Sequence, residues 1–220
     1  AVLRVDEKEF RRLESLGLDP EILHEIDPSL ATTDTNGFYT FAEFETALQA
    51  WANTHPGIVR LTSIGQSWEG RDIHLLKISD NVETNEYEPE VLLIGLQHAR
   101  EWLSGMTVHG IVEHFVTQYG TDPGVTDLVD SIEIFVVLVA NPDGYVYTHT
   151  ADRFWRKNRR DNGDGTYGVD LNRNFPFEWT ASTNPGSITY GGPSPLSEPE
   201  NQALDTWIQS RGSDLAGCLN

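Results

Sequence analysis

Nine residues, Ile132-Glu-Ile-Phe-Val-Val-Leu-Val-Ala140, form a nearly unbroken apolar run that Asn141-Pro-Asp-Gly144 stops. Such a run has no polar face to turn toward water. It is rich in β-branched residues and short for a helix, so it predicts a central strand covered on both sides. Val91–Leu96 is a second run of this kind. Between the two, Val108, Ile111, Val112, Phe115, Val116 and Tyr119 recur at helical spacing, which predicts a helix over 102–119 packed on the sheet. Valine-rich strands alternating with helices indicate an α/β fold with a mixed sheet. In such sheets ligands bind beyond the carboxyl ends of the strands. His98 and Asn141 both fall there.

Upstream, Val59–Ile64 and Ile73–Ile78 alternate like paired strands around the turn at Glu69-Gly70. Thr40 is placed to cap a helix through Phe41, Phe44, Leu48 and Trp51, with Glu43 in the capping-box position. Residues 1–30 differ from all this. Their apolar positions suit short amphipathic helices broken at Gly17 and Asp19-Pro20, and Ala31–Gly37 reads as a linker. Residues 1–35 are therefore expected to be an arm or a pro-segment remnant with its linker, and 36–220 a domain.

The chain has 220 residues, 38% of them hydrophobic, which suits one domain with a sizeable core. No apolar run approaches the ~20 residues of a membrane span. Net charge is −19, and only Lys8, Lys77 and Lys157 are lysines. That balance argues against nucleic acid and anionic membranes as partners. Cys218 is the sole cysteine, so no intrachain disulfide forms. The chain begins at Ala1 rather than Met, as a processed or truncated piece of something longer would.

Three constellations could carry chemistry. His98-Ala-Arg-Glu101 places an imidazole and a carboxylate three apart at a strand end. On a helical turn such residues share a face, and both are zinc ligands. The spacing alone is weak evidence, since surface helices carry such pairs by chance. His109, Glu113 and His114 form a rival cluster. Its histidines lie five apart, roughly 140° around a helix, and read as polar-face residues. The second constellation is Arg153–Arg160, which holds five of the fifteen cations. A nucleic-acid patch, a solvated loop and an arginine that stabilises an oxyanion are all open readings. The third is Gly168-Val-Asp-Leu-Asn-Arg-Asn174. Its guanidinium suits a planar carboxylate, and Asp170 could orient a histidine ligand. Taken singly, a turn built from Asn and Asp explains it equally well.

Together, these motifs resemble the zinc metallocarboxypeptidases, the carboxypeptidase A/B group with bacterial carboxypeptidase T. His98-Ala-Arg-Glu101, Asn141-Pro-Asp-Gly144, Arg153-x-x-Arg156-Lys157, Gly168-Val-Asp-x-Asn-Arg-Asn174 and Ser197-Glu-Pro-Glu200 occur in that family's order over roughly 36–220. The resemblance implies an α/β/α mixed-sheet fold and a secreted, monomeric enzyme that removes the last residue of peptides and proteins with one Zn2+. It implies that His98 and Glu101 are the first two zinc ligands and that Asp170 fixes the zinc histidine. Arg156 would stabilise the tetrahedral oxyanion. Asn172 and Arg173 would hold the substrate's terminal carboxylate, with Arg100 as an accessory contact. It places a third ligand, a histidine, just past Asn220 on a strand beginning near Leu215, and the general-base glutamate later still. The 220 residues alone are therefore expected to bind zinc poorly and to be inactive. Glu86, Glu88 and Glu90 resemble a loop that binds Ca2+ in carboxypeptidase T. Two rival functions fit parts of the pattern: an N-acyl amino acid deacylase of related zinc fold, and a non-catalytic peptide-binding module. Ala99 and Arg156 count against the first; the intact His98, Glu101, Arg156 and Arg173 count against the second.

Overall fold

In a computed structural model, which describes residues 37–220, the capping box at Thr40 is formed. The Thr40 amide donates to Glu43 Oε2 at 2.7 Å, and the Glu43 amide donates to Thr40 Oγ1 at 3.3 Å. Helix α1, Phe41–Thr54, starts there and buries Phe44, Leu48 and Trp51. The arm and linker expected over 1–35 lie outside the described residues.

Strands Val59–Gln66 (β1) and Asp72–Ile78 (β2) pair antiparallel, and β2 continues antiparallel onto Glu133–Val137 (β4). Strand Glu90–Ile94 (β3) lies parallel to β4 on one side and to Leu215–Leu219 (β5) on the other. Among the described residues the sheet order is β1-β2-β4-β3-β5. Helices Trp102–Gln118 (α2), Pro123–Val129 (α3), Pro142–Thr150 (α4) and Pro199–Arg211 (α5) complete the domain.

The expectation of a strand covered on both faces holds, and the alternation of β4 shows how. Ile134 and Val136 enter one core with Phe44, Leu48, Val108 and Val112 from α1 and α2. Phe135 and Val137 enter a second core with Ile73, Leu92, Ile94 and Leu204, the last from α5. The fold is thus a mixed-sheet α/β/α sandwich. Both strands stop sooner than their apolar runs. Leu138–Ala140 are buried but leave the ladder, and the Ala140 and Asn141 amides instead bond the carbonyls of Gly95 and Leu96. An apolar run reports burial; it does not report how far pairing extends.

At its far end the sheet buries charge. Glu90 and Glu133 stand side by side in the β3–β4 register, both fully enclosed. Glu133 accepts from Lys77 Nζ at 2.7 Å, and Glu90 accepts from Arg211 Nε at 2.8 Å. This overturns Glu90 as a calcium ligand: its carboxylate is already committed to a guanidinium. A second correction concerns His109. It is not on a polar face but packs among the rings of Tyr39, Phe44 and Trp51, and burial lowers its basicity. The periodicity of 102–119 marked a helix, but α2 is covered more widely than its apolar stripe suggested.

Candidate active site

The chain leaves β3 through Leu96, which is buried with φ 51°, an uncommon conformation for a side chain of this size. Gly105 on α2 makes room for it, because a Cβ there would meet Leu96 Cδ1 at 2.5 Å. The loop that follows carries His98 and Glu101 into the start of α2. Asn141 caps α4 by accepting from the Gly144 amide and donates from Nδ2 to the Gln97 carbonyl, so the carboxyl ends of β3 and β4 are stitched together. The Ala99 amide bonds the Arg156 carbonyl at 3.1 Å, which brings the basic segment alongside.

His98 Nδ1 faces the Glu101 carboxylate at 3.1 and 3.2 Å. Two ligands about 2 Å from one tetrahedral zinc stand roughly 3.3 Å apart, so this donor set fits that ion. His98 Nε2 lies 3.2 Å from Asp170 Oδ1. A carboxylate at Nε2 makes that nitrogen the N–H donor and leaves Nδ1 as the lone-pair donor, the form a metal requires. Asp170 is fully buried. Burial alone would raise its pKa, but hydrogen bonds from His98 and Arg156 hold its carboxyl below the usual range.

Arg156 donates from Nε and Nη2 to Asp170 Oδ2 at 3.1 and 2.9 Å, and its Nη1 lies 3.8 Å from Glu101. It therefore sits beside the His98–Glu101 pair. Leu171–Arg173 is a single 3-10 turn capped by Asp170, which accepts from the Asn172 amide. Asn172 and Arg173, on that turn, are exposed to solvent. Arg100 is half-buried, and its carbonyl accepts from Arg153 Nη1. Among the described residues, the one group of three side chains able to share an ion is Asp80, Glu86 and Glu88, which includes neither His98 nor Glu101.

The Arg153–Arg160 segment is neither a solvated loop nor a basic patch. Arg153 lies over the Trp102 ring at 3.6 Å, and Lys157 is buried with Nζ donating to the Pro185 and Ser187 carbonyls. Arg159 packs against Tyr147, Trp155 and Tyr167, and Arg160 pairs with Glu198. Asn158 was not singled out from the sequence. Its Oδ1 accepts from the Val169 amide and its own amide bonds the Val169 carbonyl, so it holds the segment before Asp170 against the segment after Arg156.

A histidine–carboxylate pair stands at the strand ends of a mixed α/β sheet, backed by a buried aspartate and beside an arginine, an arrangement able to hold a metal ion. The family model for zinc carboxypeptidase matches residues 44–219, and the chain belongs to that family. A zinc carboxypeptidase of Saccharothrix mutabilis subsp. capreolus is 40% identical over 159 residues, which is 70% of this chain and 36% of that protein. An inactive metallocarboxypeptidase of Ajellomyces dermatitidis is 37% identical over 166 residues, 73% of this chain and 28% of that one. The crystal structure of carboxypeptidase A from Helicoverpa armigera superposes with a TM-score of 0.77 at 34% identity, over 82% of this chain and 44% of that one. The chain thus spans less than half the length of each. Family membership leaves the deacylase and binding-module alternatives without support.

Proposed function

We propose that this chain carries the substrate-recognising half of a zinc carboxypeptidase site, which hydrolyses the last peptide bond of peptides and proteins. The observation that supports it most is the His98–Glu101–Asp170–Arg156 cluster, in which a metal-ready pair and a guanidinium share one buried carboxylate. His98 and Glu101 would hold the zinc. When bound, that ion lowers the pKa of a coordinated water and polarises the scissile carbonyl.

The chain's own residues supply the rest. Asp170 fixes the His98 ring and its tautomer. Arg156 places N–H donors where negative charge develops on the carbonyl oxygen. Arg173, with Asn172, takes the terminal carboxylate of the substrate in a bidentate grip. Arg100 lies beside this group as an accessory contact. An excess of acidic side chains elsewhere leaves these arginines as local positive points for an anionic chain end. Secretion and a monomeric state belong to the same reading, and no helix among the described residues is long and apolar enough to cross a membrane.

Two ligands are expected to hold zinc only weakly, since a catalytic site normally has three. Calorimetric zinc titration of the 220 residues should show weak binding that His98→Ala abolishes. A protein spanning the relatives' length should cleave a blocked dipeptide with a free C-terminus, lose activity to a chelator and regain it with zinc. Equal cleavage of the amidated dipeptide would count against the assignment.

A calcium ion belongs to this reading as a secondary element. Asp80, Glu86 and Glu88 each bring a carboxylate oxygen within 4.8 Å of the others, and Glu86 Oε2 and Glu88 Oε2 are buried without a partner. Burial, then the neighbouring charges of Glu86 and Asp80, raise the Glu88 carboxyl. Hard oxygens of this kind suit calcium over zinc. Millimolar CaCl2 should raise Tm in the native chain and not in Glu88→Gln; no shift in either would remove the ion from the account.

A further inference from the structure

One buried acidic cluster takes no part in that chemistry. Asp143 in α4 and Glu198 and Glu200 at the start of α5 are at most 1% exposed. They meet where the β1–β2 turn and the 156–160 segment pack together. Glu198 is satisfied as an anion: it accepts from Arg160 Nη1 at 3.1 Å, Trp68 Nε1 at 2.7 Å, Asn158 Nδ2 at 2.7 Å and Ser197 Oγ at 2.6 Å. So is Asp143, which accepts from Arg71 Nη1 at 2.7 Å, Ser67 Oγ at 2.6 Å and the Glu69 amide at 2.8 Å. Glu200 accepts from Asn158 Nδ2 at 3.1 Å, from its own backbone amide and, at the limit of a hydrogen bond, from the Trp68 amide at 3.5 Å, with no cation beside it. Two guanidinium groups thus serve three carboxyls, and Glu200 is the one left over. An ionised carboxylate enclosed without a cation costs several kcal/mol, and such a group takes up a proton instead.

We propose that Glu200 is a proton-binding site of the folded chain, a carboxyl packed between the Trp68 turn and the Asn158 segment at the N-terminus of α5 that keeps its proton below neutral pH and gives it up above. The charged groups around it are Asp143 on α4, Glu69 and Arg71 on the turn, Glu198 on its own element and Arg160, whose guanidinium lies 5.0 Å from the Trp68 ring. Burial first, then the charges of Asp143 and Glu198, push the Glu200 carboxyl up to about 7; the Asn158 hydrogen bond opposes them. Ionisation would set three buried negative charges against two arginines, a repulsion that the Asn158 hydrogen bond alone offsets only in part.

Asn158 is also the residue that holds Val169, and so Asp170, beside Arg156. Glu200 is therefore a positioning residue for the Arg156–Asp170 pair. That last step rests on the carboxypeptidase reading; the proton site itself does not.

The sign follows from linkage. Between about 4.5 and about 7 the native state holds a proton that the unfolded chain has released. This contribution to stability is complete below the unfolded value, declines as pH rises and is gone above the folded value. Urea denaturation of the 220-residue chain and of Glu200→Gln, from pH 5 to pH 8, tests it. The native chain should lose, relative to the variant, on the order of a hundredfold in its folding equilibrium constant over that range. Other carboxyls titrate in both proteins and cancel in the difference. Parallel curves would overturn the proposal.

If Glu200→Gln does not fold, the native chain alone decides. An un-ionised carboxyl stretch should appear in its infrared spectrum at pH 6 and vanish by pH 9, with the Trp68 indole N–H resonance moving in step. Absence of that band at pH 6 would overturn the proposal equally. Neither measurement uses zinc or a substrate, so failure here and failure of the peptidase reading are separate outcomes.

Discussion

Replacing Arg156 with methionine is expected to destabilise the domain by about 3–5 kcal/mol, the usual consequence of removing one partner from a buried ion pair. The guanidinium fills two lone-pair directions of Asp170 Oδ2, and the Asp170 side chain is wholly enclosed. Methionine matches the arginine stem in bulk but donates nothing. Asp170 would keep only His98 and the Asn172 amide. Its carboxyl would then respond to burial and rise. Lysine should recover part of the loss, because a point charge cannot reproduce two parallel N–H bonds. Urea denaturation at neutral pH gives the comparison through its midpoint and slope. A loss under about 1 kcal/mol in the methionine variant would mean that Asp170 is held by something other than Arg156, since that is the range of exposed pairs.

Arg173→Ala is expected to behave in the opposite way: little change in stability and a large change in activity. Arg173 is exposed, and its guanidinium donates from Nη1 to the adjacent Asn172 carbonyl at 2.8 Å. Surface substitutions of this kind usually stay within about 0.5 kcal/mol. In a protein spanning the relatives' length, the variant loses the partner of a substrate carboxylate. Truncating one side of such a charge pair costs about 2–5 kcal/mol, or roughly thirty- to several-thousand-fold in kcat/KM. The deficit should be confined to free C-termini. Equal turnover of free and amidated dipeptides by both proteins, or unchanged kcat/KM in the variant, would remove Arg173 from the binding role. Together the two substitutions separate an arginine on which both the fold and the chemistry depend from one that serves the substrate alone.

Much of the architecture was legible before any coordinates. The capping box at Thr40 and Glu43, the β1–β2 hairpin and helix α2 depend on neighbours close in the chain, and local patterns report local structure. The double-sided burial of β4 was legible too, since a strand without a polar face has no other place to sit. The ends of β3 and β4 were not, because hydropathy does not distinguish a ladder from a buried connector.

The misreadings share one cause. From the sequence, His109 falls on a polar face, Glu90 is free for calcium, and a solvated loop is one open reading of Arg153–Arg160. Each is instead enclosed by a partner distant in the chain: Arg211 for Glu90, three aromatic rings for His109, and Trp102, Tyr147 and Glu198 for the arginines. A charge is affordable inside only when its counterpart is already in place, and that information is not local.

What the sequence by itself determined is the pattern of strands and helices, the family, and the identity of the residues gathered at the strand ends. Those follow from residue type, order and spacing. What only the tertiary structure decided is which charges are shared. It put Asp170 between His98 and Arg156, and Asn158 between Glu198 and Glu200, leaving Glu200 as the carboxyl without a cation. Burial and pairing depend on atoms brought together from separate segments, and they, rather than residue type, fix whether an acid is an anion, a clamp or a proton store.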